Sequence, residues 1–580
     1  MVAADSRAHP APVKSHISIA GRAKKPFRLV ETNIASYDRK DPFAAVDTLR
    51  KLLTTLPTRS GANQSKMTAN EHRLLSMHLL TIIEPFIGSS PSPRGLTRQP
   101  TENLDEIASY VDSKRDLLSL ALSCKRMYGV IFPRHFEYRV IWCKISNIAV
   151  WSHFVNSRAL ASNVRRLEIL DERSTEIPRI PSDILASDTE LESSDDELGL
   201  HHKQGRLFSS ALSKMTRLTT FVWSCNHSLI SLDKIWSTLL KCQSLKMIEV
   251  NDNLVFSPIS EESISSGIKQ ALVLPSLSSV AVRSFKKGYG QNKNPDLERV
   301  TEMLHHCPNL QELNIDYKPQ AGFGSPRADN FFLCGRWPSL RTLNLTHLSC
   351  SLDGFDAASA FLIAHPNIEV LHLDIGSRTN LRGLMLAPGT LPRLRELKSS
   401  KEFACVIMSC PSEDRPLETI KGVRLTGPQR DAAFLEALRR SDIRRIDLIG
   451  YGEFEDIRRL VDCAPKLTWL DIGKKTSASA HKGPVTISSV VDWANLLTQL
   501  PDLTTFHGIP FFYEVSSIPT SPTTISVRSR IKKNNEVASV LAWKCPNLRR
   551  VDHWEEQAGK VIVLFKDGDK AKWEVRRVKV

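Results

Sequence analysis

The 580-residue sequence contains no apolar run approaching the roughly 18 residues that a membrane-crossing helix requires, so no such helix is expected. Its first thirty residues, MVAADSRAHPAPVKSHISIAGRAKKPFRLV, carry basic side chains but no continuous apolar stretch, which argues against a secretory signal. The eleven cysteines are an odd number and none stand as Cys-x-x-Cys, which speaks against a disulfide framework and a zinc ribbon. They read instead as reduced, buried small hydrophobes of a cytoplasmic or nuclear protein. There is no GxxxxGK[ST] loop to cradle a phosphate and no GxSxG turn to present a nucleophile. The seventeen histidines are scattered, and the pairs His201-His202 and His305-His306 lack metal-ligand spacing. Cys124 stands beside Lys125 and Arg126, but no base or orienting partner is identifiable for it. The expectation is a non-enzymatic protein using no metal and no cofactor.

What is present is ordinary in bulk and uneven in detail. Lys and Arg number 78 against 63 Asp and Glu, a net charge of +15. Within the first thirty residues Arg7, Lys14, Arg22, Lys24, Lys25 and Arg28 face only Asp5, and residues 1–43 read as a disordered basic arm. Residues 44–97 combine helical patterning (AAVDTLRKLL, NEHRLLSMHLLTIIEPFI) with the linker GSSPSPRG. The stretch ASDTELESSDDELGL holds six acids and no basic residue, and residues 185–205 read as a disordered acidic insertion.

From residue 163 onward one phrase returns. It runs NVRRLEI, TRLTTFVW, SLKMIEV, PSLSSVAV, PNLQELNI, PSLRTLNL, PNIEVLHL, PRLRELKS, PLETIKGVRL, IRRIDL, PKLTWLDI, PDLTTF and PNLRRV. Between Leu218 and Leu467 the first apolar residues are 27, 32, 33, 30, 28, 26, 23, 26 and 24 apart, while Val164 to Leu218 is 54, the length of two units. Alternating apolar residues predict short strands with one buried face. Val300, Leu304 and Cys307, and again Ile457, Leu460 and Val461, have the spacing of helix faces between strands. Neither element buries its apolar side alone, so neighbouring units must stack. The phrase, with Cys307-Pro308-Asn309-Leu310 and Cys545-Pro546-Asn547-Leu548, resembles leucine-rich repeats. The resemblance implies an α/β leucine-rich-repeat solenoid over residues 143–555, irregular in its repeat of about 23–36 residues. Residues 556–580, with Asp567-Gly568 between apolar-rich segments, predict a β-hairpin cap.

Ahead of the repeats stands PTENLDEIASYVDSKRDLLSLALSCKRMYGVIFPRHFEYRVI, starting at Pro100. Ser113 and Asp116 have capping-box spacing at the start of a helix, and three short helices here can enclose only a small core. The segment resembles the F-box, as found in fungal F-box proteins with leucine-rich repeats, over residues 98–142. The matches are Pro100, Glu102, Leu104, Ile107, Val111, Asp116-Leu117-Leu118, Ser123-Cys124-Lys125-Arg126 and Met127-Tyr128. Gln99 departs from the usual leucine, and Met127 from the usual aromatic. The resemblance implies docking on the Skp-type adaptor and, through it, the cullin and RING subunits of an SCF-type ubiquitin ligase. Pro100, Leu104, Ile107, Val111, Leu117, Leu118, Leu122 and Cys124 would press into the adaptor, with Lys125 and Tyr128 at its edge. The chain would then be a substrate-recognition subunit. The alternative is a non-catalytic repeat scaffold whose helical unit is only a cap.

The residue between the last two buried positions of each strand is expected to face the concave surface. Along the array these are Glu168, Glu249, Ala281, Asn314, Asn344, His372, Lys398, Arg424, Asp447 and Asp471. Of these and their neighbours, Asn314, Asp316, Asn344, His372, Asp374, Asp447 and Asp471 are the candidate residues for holding a target protein. A nucleic-acid groove would be lined with Lys and Arg, so nucleic acid is not an expected partner, and no membrane contact is expected. The charge excess is expected on the arm and the convex helices.

Overall fold

The computed structural model describes residues 41–55, 69–83, 96, 99–185 and most of 197–577; the longest segments outside the description after 197 are 259–271, 376–385, 477–486 and 516–526. The chain forms two compact units, residues 1–100 and 101–580. In the first, helix Pro42–Thr55 and the helical run beginning at Ala69 close a small core of Ala45, Leu79 and Ile83. The arm expected at residues 1–43 lies outside the described residues up to residue 40, and helix Pro42–Thr55 takes up its last two positions.

The second unit is mixed α/β, built on one open sheet of seventeen strands. Its strands are β1 (Val140–Lys144), β2 (Arg166–Leu170), β3 (Thr220–Trp223), β4 (Met247–Asn251), β5 (Ser279–Arg283) and β6 (Glu312–Asp316). Next come β7 (Thr342–Leu348), β8 (Val370–Ile375), β9 (Glu396–Ser399), β10 (Thr419–Arg424), β11 (Arg445–Tyr451) and β12 (Trp469–Asp471). The last are β13 (Lys474–Lys475), β14 (Thr505–His507), β15 (Arg550–Asp552), β16 (Lys560–Asp567) and β17 (Lys570–Arg577). Neighbours in sequence pair in the sheet except around β13, where β12 and β13 both pair with β11 and β12 pairs onward with β14, and every pairing from β1 to β15 is parallel.

All thirteen recurring phrases become parallel strands, and their leucines explain why. Leu313, Leu343, Leu371, Leu397, Ile420, Ile446, Leu470, Phe506 and Val551 stand opposite one another in register, all buried. Burying each such side chain contributes roughly 1.5–3 kcal/mol, and a slip of one residue would turn the column to the other face. Connecting helices supply the opposing layer: Val300, Leu304 and Cys307, and Ile457, Leu460 and Val461, are buried in the same core. Alternate strand residues stay partly exposed on the opposite face.

Three expectations are corrected. The 54-residue step from Val164 to Leu218 is one unit, because β2 pairs directly with β3, Arg166 opposite Thr220. Helix Glu197–Lys214 fills that unit, so the end of the expected disordered insertion 185–205 is helical, while 186–196 lies outside the described residues. The array starts at β1 rather than at residue 143, where Ile141 and Cys143 already alternate inward. Residues 101–580 form one compact unit, which holds the three-helix segment, the array and the C-terminal hairpin. In that hairpin β16 pairs antiparallel with β15 and with β17, Asp567 standing opposite Lys570.

Candidate functional site: an apolar three-helix surface and an uncovered polar face

Helices Thr101–Tyr110, Lys114–Ala121 and Lys125–Ile131 precede the array. Ser113 caps the second, its hydroxyl accepting from Asp116 N at 3.3 Å, as the spacing predicted. Cys124 caps the third, its Sγ accepting from Met127 N at 3.4 Å. The three helices enclose their own core of Leu104, Ala108, Leu117, Ala121, Met127, Val130 and Ile131.

That core corrects two assignments. Leu104 and Leu117 are fully buried and hold the helices together, so they are not surface groups that could press into a partner. Val111 and Cys124 are half-buried against the same core. Met127, where an aromatic was the familiar pattern, is buried in it. The apolar side chains left outside are Ile107 (40% exposed), Leu118 (38%), Leu122 (71%) and Tyr128 (52%), with Pro100 and Lys125 also exposed. Tyr110 belongs with them and was not anticipated; its i, i+3 spacing from Ile107 was the available signal.

Three arginines fix this unit to the array. Arg139, itself buried, donates from Nη2 to Ala108 O at 2.6 Å and from Nη1 to Asn163 O at 3.0 Å. Arg165 donates from Nη2 to Ser109 O at 2.5 Å and from Nε to Asp112 Oδ1 at 3.1 Å. Arg217 donates to Ser109 Oγ and Glu106 Oε1, and its guanidinium lies 5.1 Å from the Tyr110 ring. Three cations thus meet the carbonyl end of helix Thr101–Tyr110, the negative pole of its dipole. Burial, then the neighbouring Arg165, pulls Arg139 down to about 10, still charged at neutral pH. Nearby, His135 is buried with Nε2 2.9 Å from Asp105 Oδ1. Burial outweighs that carboxylate and lowers the imidazole pKa.

On the partly exposed face of the sheet, one register line runs Glu168, Val222, Glu249, Ala281, Asn314, Asn344, His372, Lys398, Lys421, Asp447, Asp471 and His507. Arg424 is not in it. Gly422, at φ +83°, shifts the register, and Lys421 takes the place expected for Arg424. Much of the line and its flanks is paired with neighbouring side chains. Lys421 Nζ donates to Glu396 Oε1 at 2.6 Å, with His372 Nε2 2.7 Å from the same oxygen, and the His372 bond chiefly pulls Glu396 down to about 2. Arg445 forks onto Asp447, with Nη2 to Oδ2 at 2.8 Å. Asp316 accepts from Thr346 Oγ1 at 2.7 Å and has Lys318 Nζ at 3.5 Å. Asp471 accepts from Gly473 N at 2.9 Å, and burial raises its pKa. Asn314 and Asn344 are neighbours whose Oδ1 atoms are buried without a partner, and Asp374 is exposed.

Burial raises the thiol pKa of Cys143, Cys225, Cys242 and Cys307, which makes these poor nucleophiles at neutral pH. Among the described residues no three His, Cys, Asp or Glu side chains gather as a metal site, and no helix is long and apolar enough to cross a membrane. No family model matches the chain, and no curated protein matches it.

Proposed function

We propose that this chain is a substrate-recognition subunit of an SCF-type ubiquitin ligase. Its three-helix unit is an F-box docking on a Skp-type adaptor, and its array is a leucine-rich-repeat solenoid holding a target protein. One observation carries the reading: Leu118 and Leu122, four residues apart, stay exposed beside helices whose core is already closed. Exposed apolar side chains clustered on a small unit are the kind of surface a partner covers. Burying a leucine such as Leu122 contributes roughly 1.5–3 kcal/mol, and several together offset the entropy of association. The chain makes no bond itself; it would hold a target lysine near the charged conjugating enzyme and raise the effective concentration.

The test is capture of the full chain on a purified Skp-type adaptor. Wild type is expected to be retained, and Leu118→Asp/Leu122→Asp is expected to be lost at unchanged melting temperature. Failure of the wild type to be retained overturns the proposal. A second reading, a scaffold whose helical unit merely caps the first strands, is favoured by the three arginines that tie helix Thr101–Tyr110 to the array. It predicts no capture at all.

A further inference from the structure

The net charge is concentrated at one end of the array. Residues 527–580 hold fourteen Lys and Arg against seven Asp and Glu, whereas residues 41–526 hold 56 against 53. The long body is therefore close to neutral, and nearly half of the +15 falls in its last tenth.

The centre of that charge is helix Val527–Lys544, which carries Arg528, Arg530, Lys532 and Lys533 in its first two turns and no acid in the first. Cations at this end oppose the helix dipole, so the helix gains no stability from them there. Arg530 Nη1 donates to Glu514 O at 3.0 Å, and Lys533 Nζ lies 5.1 Å from the Tyr513 ring. Arg528 and Lys532 are exposed and form no ion pair among the described residues. The helix buries Asn534, Val537, Ala538 and Leu541 and turns the opposite stripe outward. On that stripe, at helical spacing from Arg528 and Lys532, stands Trp543, 77% exposed, with Lys544 Nζ 5.5 Å from its ring. The only acid on the stripe is Glu536. From Arg528 to Trp543 the helix rises about 22 Å.

We propose that this helix face is a contact surface for single-stranded nucleic acid, with Arg528 and Lys532 on the phosphates and Trp543 stacked on a base. Cations following a backbone, combined with an exposed ring, are what single strands bind, over sites of about four nucleotides or more. An acidic peptide would satisfy the cations but offers no flat ring for Trp543. A duplex keeps its bases stacked on one another. The face is distinct from the polar line on the sheet and from the three-helix unit, so the inference stands apart from the ligase reading.

The experiment is fluorescence anisotropy of the full chain with labelled 20-nucleotide single-stranded DNA or RNA, 20-base-pair duplex, and poly-glutamate as competitor, from 50 to 200 mM salt. Single strands are expected to bind with an affinity that falls as salt rises. Arg528→Glu/Lys532→Glu is expected to weaken binding roughly tenfold and flatten the salt dependence, because each lost phosphate contact removes about one unit of slope. Trp543→Ala is expected to weaken binding at least fivefold with the slope unchanged. Single-strand binding that neither variant alters places it elsewhere on the chain and overturns the proposal. Duplex or poly-glutamate binding as tightly as single strands also overturns it. Adaptor capture of the same variants, expected to be unchanged, keeps this outcome separate from the ligase test.

Discussion

The backbone N–H of Trp337 donates to Nε2 of His365 at 2.9 Å, while Nδ1 of the same imidazole donates to Phe361 O at 2.6 Å. One buried ring thereby joins two successive units at the position where Cys307 and Cys545 stand in others. The two bonds fix the tautomer and require a neutral ring. Burial is the main cause of the lowered His365 pKa, and it outweighs the bond to Phe361 O, which acts the other way. The folded pKa therefore lies below the ordinary 6.5, so the unfolded chain binds the proton first. Stability is expected to be full above about pH 7 and to fall as pH drops through 6.5, with a slope of at most about 1.4 kcal/mol per pH unit for this one proton. Urea midpoints from pH 8 to pH 5 measure it, and His365→Asn is expected to flatten the slope.

In the three-helix unit the proposed docking residues and the core residues are different side chains. Leu117→Ala removes a fully buried side chain and is expected to cost about 2–5 kcal/mol in thermal unfolding. Leu118→Asp/Leu122→Asp touches exposed positions and is expected to leave the melting temperature nearly unchanged while abolishing adaptor capture. Equal melting losses in both would mean that the exposed pair serves the fold.

Arg139→Met keeps the apolar stem but leaves the carbonyls of Ala108 and Asn163 without their donor. The expected cost is about 1–3 kcal/mol, for buried acceptors losing a charged partner. Limited proteolysis between residues 132 and 139 is expected to quicken, because the helices would loosen from β1.

Two glycines of positive φ should answer differently to alanine. At Gly473, φ +61°, an added Cβ would lie 2.5 Å from backbone atoms of Leu448 and Ile449, which cannot give way. Gly473→Ala is expected to cost roughly 2–4 kcal/mol in chemical denaturation. At Gly427, φ +118°, nothing lies within 4 Å, so Gly427→Ala is expected to lose only the backbone strain, about 1–3 kcal/mol.

The strand array was legible because its signal is repeated: each L-x-L column is buried on one side, and thirteen phrases supported one another. β1 was missed for lack of the proline-leucine lead-in, and β13, two exposed lysines, has no apolar signature at all. The direct pairing of β2 with β3 was illegible, because 54 residues divide into two average units and length alone does not reveal a long helix. Arg424 was misplaced because a bulge at Gly422 makes Ile420 and Val423 the inward pair that flanks the line, whereas the sequence suggests Val423 and Leu425, which are buried as well. On the three helices, composition located the apolar surface but could not tell Leu117, turned inward, from Leu118, turned outward. That distinction depends on how short helices pack, not on their order in the chain. The ion pairs that silence much of the sheet face are invisible in sequence, since Lys421 and Glu396 meet only through register.

At the front of the sheet, Trp142 N donates to Arg179 O at 2.9 Å and Arg179 N donates to Trp142 O at 2.7 Å, with the guanidinium 4.7 Å from the indole. The outer margin of the first strand is thus occupied by a loop of its own polypeptide, and another molecule finds little there to template upon. With that margin taken, β1 has one side left for pairing, the side that β2 occupies, and the sheet stops there.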